Sequence, residues 1–397
     1  MHKIDVTKGE MKGDVSRQWA NRTPDQRFTS LTELRAQVAQ WADESFAKDI
    51  TPGAMLVKPT EDNDLALHYG DAAPMGLTNY AFQQLSRLAG APGYYLKDLP
   101  APLAAINLNY GLKAAAQKDQ SLYIRNPSPS FDGGAAVPIP NASHLRGITS
   151  PRYGRIYDRD VVDAVIKVAG NGTGDTRWKV PGTIDWANAH GVSYNPNVVI
   201  TKENTTLYAS DRDVFIFLVD DMHPIEVGKL NDGSPDLMFR GFYVWNSEVG
   251  DKTFGVATMY LRGVCQNRNL WGVEGFNELT FKHTAGAPNR FMDQAAPALQ
   301  TFSDGSTTKL IAGVKAAKEA KVSKTDEERI EFLAKWGFSE KQAKELIATA
   351  VAEESRPQES IWDHAQAITA HARKSPLQEN RLAMEQTAGK MLDKVKA

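Results

Sequence analysis

The stretch FRGFYVWNSEVGDKTFGVATMYLRGVCQN, Phe239 to Asn267, constrains the fold more than any other part of the chain. Two runs rich in aromatic and β-branched residues flank NSEVGD, where Asn246, Ser247 and Glu248 can satisfy backbone groups and Gly250 can take positive φ. Such a segment folds back on itself, so the chain must contain an antiparallel sheet. Successive strand side chains point to opposite faces. In the second run Gly255, Ala257, Met259, Leu261 and Gly263 form a small apolar set that suits close packing under helices. Phe254, Val256, Thr258, Tyr260 and Arg262 form the other set, larger and amphipathic. In the first run Arg240, Phe242, Val244 and Asn246 alternate with Phe239, Tyr243 and Trp245. A partly polar aromatic surface of this kind would stack bases, or would be covered by helices from elsewhere in the chain.

Around the hairpin the pattern divides the chain into four parts: a polar, aperiodic leader over 1–26, a mainly helical region over 27–120, a central antiparallel sheet over 121–290 and a helical region over 291–397. The fold class expected is α+β. Ser30-Leu-Thr-Glu33 has the capping-box form and opens a helix over TELRAQVAQWADESFA; a second begins at Thr78 and stops at Gly90, and a third spans about 101–117. A further helix starts near Asp158, and Thr325, Ser339 and Ser375 announce three more.

With 42% hydrophobic and 24% charged residues among 397, the chain is long enough to bury a sizeable core, and its net charge of -2 supplies no global basic field. One cysteine, Cys265, rules out an internal disulfide framework. The first residues lack the apolar centre of a signal peptide, and no stretch approaches the roughly 18 apolar residues of a membrane span. The expectation is a cytoplasmic protein without membrane contact, in which the triplets at Asn141, Asn171 and Asn204 are chance matches to a glycosylation site.

Few motifs carry chemistry. GNGTGD, with Gly170, Gly172 and Gly174, follows a helix and precedes a strand, the reverse of a dinucleotide loop, and no Walker sequence is present. In DDMHPIE, Asp220, Asp221 and His223 crowd together, yet a strand ending in a solvated acidic turn explains them more simply than a metal. Glu248 has no neighbour in sequence for acid-base work, and Cys265 reads as a small buried hydrophobe. No catalytic residue, metal or cofactor is therefore expected. The strongest signal is HLRGITSPRYGRIYDR, where Arg146, Arg152, Arg155 and Arg159 interleave with Tyr153 and Tyr157. Arginines pair with phosphates and tyrosine faces accept bases, although arginines before a helix also pair with nearby acids.

LRGITSPRYGRIYDRDVV, the hairpin stretch, FKH at Phe281 to His283, and WDHAQAITAHARKSPLQENRLAMEQTAGKML resemble the phage/plasmid-like proteins grouped as a bacterial and phage domain of unknown function. The resemblance covers about residues 75–392 and implies a setting in mobile genetic elements, with no catalytic residue to carry over. Arg268 departs from the glycine expected after Cys-Gln-Asn. In outline the pattern is also similar to ATP-independent single-strand annealing proteins of the Rad52-like type, which work as oligomeric rings. The expectation is single-stranded DNA binding in recombination or replication by a homo-oligomer, through Arg146, Arg152, Tyr153, Arg155, Tyr157 and Arg159, with Arg240, Tyr260, Arg262 and Arg268 next. The alternative is a non-enzymatic factor that blocks a host enzyme or defence system through VDDMHPIE and the C-terminal helices.

Overall fold

The structure is a computed structural model, and it describes residues 24–127, 142–174, 176–181, 199–220, 222–230, 233–262, 268–269, 278–374 and 378–395. The fold is α+β, with a large antiparallel sheet and helices in the N- and C-terminal regions. After a short strand β1 (Arg27–Phe28), the Ser30 hydroxyl accepts from the Glu33 N–H and starts α1 (Leu31–Asp43). Leu31, Leu34, Val38 and Trp41 line its buried face at helical spacing. The helix stops at Glu44, short of the Ala47 expected from its pattern. Ser45–Ile50 is instead strand β2, paired antiparallel along Gln120–Arg125. Arg125 Nε binds the Glu44 carboxylate at 2.9 Å and fixes the point where the chain leaves the helix.

The next elements are a hairpin of β3 (Met55–Pro59) and β4 (Leu65–Tyr69), β5 (Gly76–Leu77), and helices α2 (Asn79–Leu88), α3 (Gly93–Lys97) and α4 (Ala101–Ala114). With β6 (Gln120–Arg125) and β7 (His144–Thr149) they surround a core of their own, which includes Leu67, Phe82, Leu108 and Leu122. The order of this second sheet is β2-β6-β7-β5. Strands β6 and β7 thus pair with β2 and β5 and pack with the N-terminal helices, not with the central sheet.

Helix α5 (Asp158–Ala169) leads by way of Gly170 to the central sheet of nine described strands. These are β1, β8 (Trp178–Lys179), β9 (Leu207–Ala209), β10 (Val214–Asp220), β11 (Ile225–Lys229), β12 (Pro235–Asn246), β13 (Phe254–Arg262), β14 (Arg268–Asn269) and β15 (Glu278–Phe281). The main path is β1-β9-β10-β12-β13-β14. The chain then runs through α6 (Ala287–Arg290), α7 (Ala296–Asp304), α8 (Thr308–Glu319), α9 (Asp326–Ala334), α10 (Glu340–Glu354), α11 (Ile361–Arg373) and α12 (Gln378–Asp393). Both capping boxes read at Thr325 and Ser339 are formed. The Ser375 start lies outside the described residues. Among the described residues no helix is long and apolar enough to cross a membrane.

Helices cover the larger set of the hairpin, one of its two expected fates, whereas the small set expected under helices lies on the opposite face. Phe254, Val256 and Tyr260 belong to the main core together with residues of α1, α5 and the C-terminal helices. The rings of Phe254 and Tyr260 meet Phe291 and Phe302 edge-on. Their polar neighbours find partners on the same side: Arg240 donates to the Gly305 carbonyl, and Arg262 pairs with Asp236 at 2.8 Å and with Glu354 of α10. The small set, Ala257, Met259 and Leu261, lies on the opposite face, where it makes room for large rings from β10 and β12.

Candidate functional site

The basic and aromatic segment folds onto the hairpin turn, and Glu248 is the point on which it converges. Glu248 is 2% exposed and Arg146, on β7, is 1% exposed. Arg146 Nη1 donates to Glu248 Oε2 at 2.9 Å, and the Tyr123 hydroxyl of β6 donates to the same oxygen at 3.1 Å. Glu248 Oε1 accepts from the Asp158 N–H at 2.9 Å, so the carboxylate also sits at the positive end of α5. The remaining guanidinium donors of Arg146 reach the Asp211 carbonyl at 3.1 and 2.9 Å. Arg155 donates to the Glu248 carbonyl and lies 3.7 Å over the Tyr123 ring.

The rest of the turn is held as firmly. Asn246 Nδ2 donates to the Ile156 carbonyl at 2.8 Å and to Asp158 Oδ1 at 2.7 Å. Ser247 Oγ donates to the Arg212 carbonyl at 2.8 Å, and the Tyr153 hydroxyl to the Ser247 carbonyl at 2.8 Å. Tyr153 stacks on His283 with centroids 4.8 Å apart. Gly154 is required here, because a Cβ would meet the Thr284 carbonyl oxygen at 1.9 Å.

Burial shifts the groups at this junction. It raises Asp158 well above the ordinary carboxylate range, and the nearby Glu248 charge raises it further. Burial takes Asp211 up to about 6, against the neighbouring arginines. It raises the Tyr123 and Tyr153 hydroxyls, which stay protonated donors, and it lowers His283, which stays neutral. Clusters of shifted groups mark catalytic centres and structural ion networks alike. Both oxygens of Glu248 are engaged by side chains and an N–H of the protein itself, so the geometry is that of a clamp between the two sheets.

Of the residues expected to meet nucleic acid, Arg146 binds the internal Glu248 carboxylate, Arg155 and Tyr153 bind the backbone carbonyls of Glu248 and Ser247, and Tyr157 packs against the cluster of Tyr80, Tyr123 and Val249. Arg152 is exposed in the same loop, and Arg159 pairs with Asp43 at 2.9 Å. Arg240, Tyr260 and Arg262 lie beneath the C-terminal helices. Arg268 falls in β14, and its side chain, like Cys265, Asn141 and Asp221, lies outside the described residues. Asp220 is held by Arg177 at 2.6 Å and by His223 at 3.0 Å. Among the described residues no group of three or more His, Cys, Asp or Glu side chains could hold a metal ion. Glu248 lacked a visible partner because Tyr123, Arg146 and Asp158 lie 90 to 125 residues away in sequence. No local pattern signals such a pairing.

The other face of the central sheet carries the Tyr243 and Trp245 side of the hairpin. Arg27, Tyr208, Phe215, Trp245, Gly255 and Thr280 are directly paired in succession, one straight row across β1, β9, β10, β12, β13 and β15. Trp245 and Tyr243 are half-buried and stacked, with centroids 5.3 Å apart and planes at 25°. Tyr243 continues to Phe215 at 5.9 Å, and Phe215 to Tyr208 at 6.5 Å. The Trp245 ring lies on Gly255, where a Cβ would be 2.0 Å from it.

No family model matches the chain, and no curated protein or solved structure matches it either.

Proposed function

We propose that this chain binds single-stranded DNA for a mobile genetic element, without nucleotide hydrolysis, and does so on the aromatic face of its central sheet. The observation that supports the reading is the half-buried Tyr243 and Trp245 pair, stacked on each other with Trp245 lying on Gly255. Every base offers a π-face, so such a platform holds unpaired bases with little regard to sequence, at about 1–3 kcal/mol per stacked base. A duplex presents its bases edge-on and gains nothing from it. Two arginines lie near the row in the chain. Half-buried Arg27 ends the row at β1 and donates to the Lys202 carbonyl, and exposed Arg152 precedes Tyr153, whose hydroxyl donates to the carbonyl of Ser247, two residues beyond Trp245. These arginines would neutralise phosphates and release counterions. Set against the expectation from the loop alone, the contacts move from Arg146 and Arg155 to the sheet, with Arg152 kept. The setting rests on the resemblance to phage/plasmid-like proteins.

The test is fluorescence anisotropy of a labelled single-stranded oligonucleotide and of its duplex, at low and at physiological salt. Binding should favour the single strand and weaken with salt. Trp245→Ala and Tyr243→Ala should each weaken it about 10- to 100-fold, with thermal melting recorded to verify folding, and Arg152→Ala should lower the salt slope by about one. No binding at low salt overturns the function, and binding indifferent to both aromatic substitutions overturns the site.

A further inference from the structure

Among the described residues the N-terminal helices leave an apolar surface uncovered. Helix α4 buries Ala101, Ala104, Ala105, Leu108, Gly111 and Leu112 at helical spacing, which fixes its inner face. Its outer face should then be polar. It carries instead Leu103, Ile106 and Tyr110, which are 49%, 63% and 78% exposed, and its only charge is Lys113. On α3, which packs against α4, Tyr94 and Tyr95 are 52% and 59% exposed.

We propose that this surface is the interface between two copies of the chain, packed through antiparallel α4 helices about a two-fold axis between Ile106 and Asn107. Three observations carry the choice of a second copy as occupant. The stripe is self-complementary in that arrangement. Leu103 of one copy meets Tyr110 of the other, and Ile106 meets Asn107, so large side chains face smaller ones as an isologous contact requires. The charges also match. The same axis brings exposed Lys113 to the start of the second copy's α4, beside exposed Asp98, and the two-fold makes this pair twice. Parallel packing would set Lys113 against Lys113. The area is sufficient. Three tyrosines with about 150–250 Å² each, exposed to these extents, together with Leu103 and Ile106 offer roughly 500 Å² of apolar surface per copy, the apolar share of a standard interface of about 800 Å² per partner. The inference does not depend on the nucleic-acid reading, since the sheet face and α4 share no residue.

Sedimentation velocity of the full chain over a concentration series tests it. The mass should rise from 43.7 kDa towards twice that value. Ile106→Glu, at an exposed position that leaves folding intact, should raise the dimer dissociation constant at least about tenfold, because it buries two like charges. Asp98→Lys and Lys113→Asp should each weaken the dimer, and the two together should restore it. A monomer at every concentration overturns the proposal, as does a dimer that Ile106→Glu does not affect. Failure of the double exchange to recover association overturns the antiparallel arrangement.

Discussion

Asp158 lies in the first turn of α5, enclosed by protein, with its Oδ1 accepting from Asn246 and its N–H engaged by Glu248. A carboxyl raised by burial binds more protons folded than unfolded, so stability falls as pH rises from its unfolded value to its folded one and is level above. For Asp211 that window runs from about 3.9 up to about 6. Asp158 is raised in the same direction, so its window opens at the same lower edge. Asp158→Asn keeps an oxygen for Asn246 and cannot ionise. Its melting temperature, relative to the parent protein, should therefore become more favourable between pH 4 and pH 7.5. Thermal melts across that range measure the difference, and a difference constant with pH would mean that Asp158 is not held protonated by the fold.

At the scale of the element, the hairpin of β12 and β13 separates two kinds of packing. Gly255 illustrates the outer face: an added Cβ meets the Trp245 ring at 2.0 Å. Gly255→Ala must lift the ring, at a cost of about 1–3 kcal/mol by overpacking. The lost platform should also weaken oligonucleotide binding, in contrast to a substitution at exposed Lys341. Urea unfolding and anisotropy measure the two effects, and an unchanged urea midpoint would refute the close approach. The same hairpin shows how far the sequence was legible. The caps at Ser30, Thr78, Thr325 and Ser339 were readable because a cap is decided within four residues. The alternation of β13 was readable for the same reason. Which face meets the helices was not, because Phe254 and Tyr260 on one side and Met259 and Leu261 on the other are both apolar enough to be buried. The choice falls to Phe291 and Phe302, which come from later in the chain. Likewise ESFA fits a helix locally and becomes β2 only because β6 lies alongside.

At the scale of the molecule, two hydrophobic cores meet across a polar seam with Glu248 at its centre. Tyr123 and Arg146 belong to the second sheet, Asp158 to α5 and Glu248 to the central hairpin, so one side chain ties three parts of the fold together. A buried ion pair contributes little net stability over an apolar pair, but removal of one partner leaves the other charge enclosed. Glu248→Ala would leave Arg146, 1% exposed, without its carboxylate, and should cost about 3–5 kcal/mol. Arg35→Ala, which breaks the exposed pair with Asp163, should cost no more than about 1 kcal/mol. Equilibrium urea unfolding compares the two. Amide hydrogen exchange then tests the coupling itself, since the loss of Glu248 should speed exchange in β6 and β7 ahead of β10 and β12. If Glu248→Ala unfolds at the midpoint of Arg35→Ala, the seam does not hold the sheets together. If it is destabilised while both sheets exchange in step, Glu248 supports the whole molecule as one cooperative unit and not as a clamp between two.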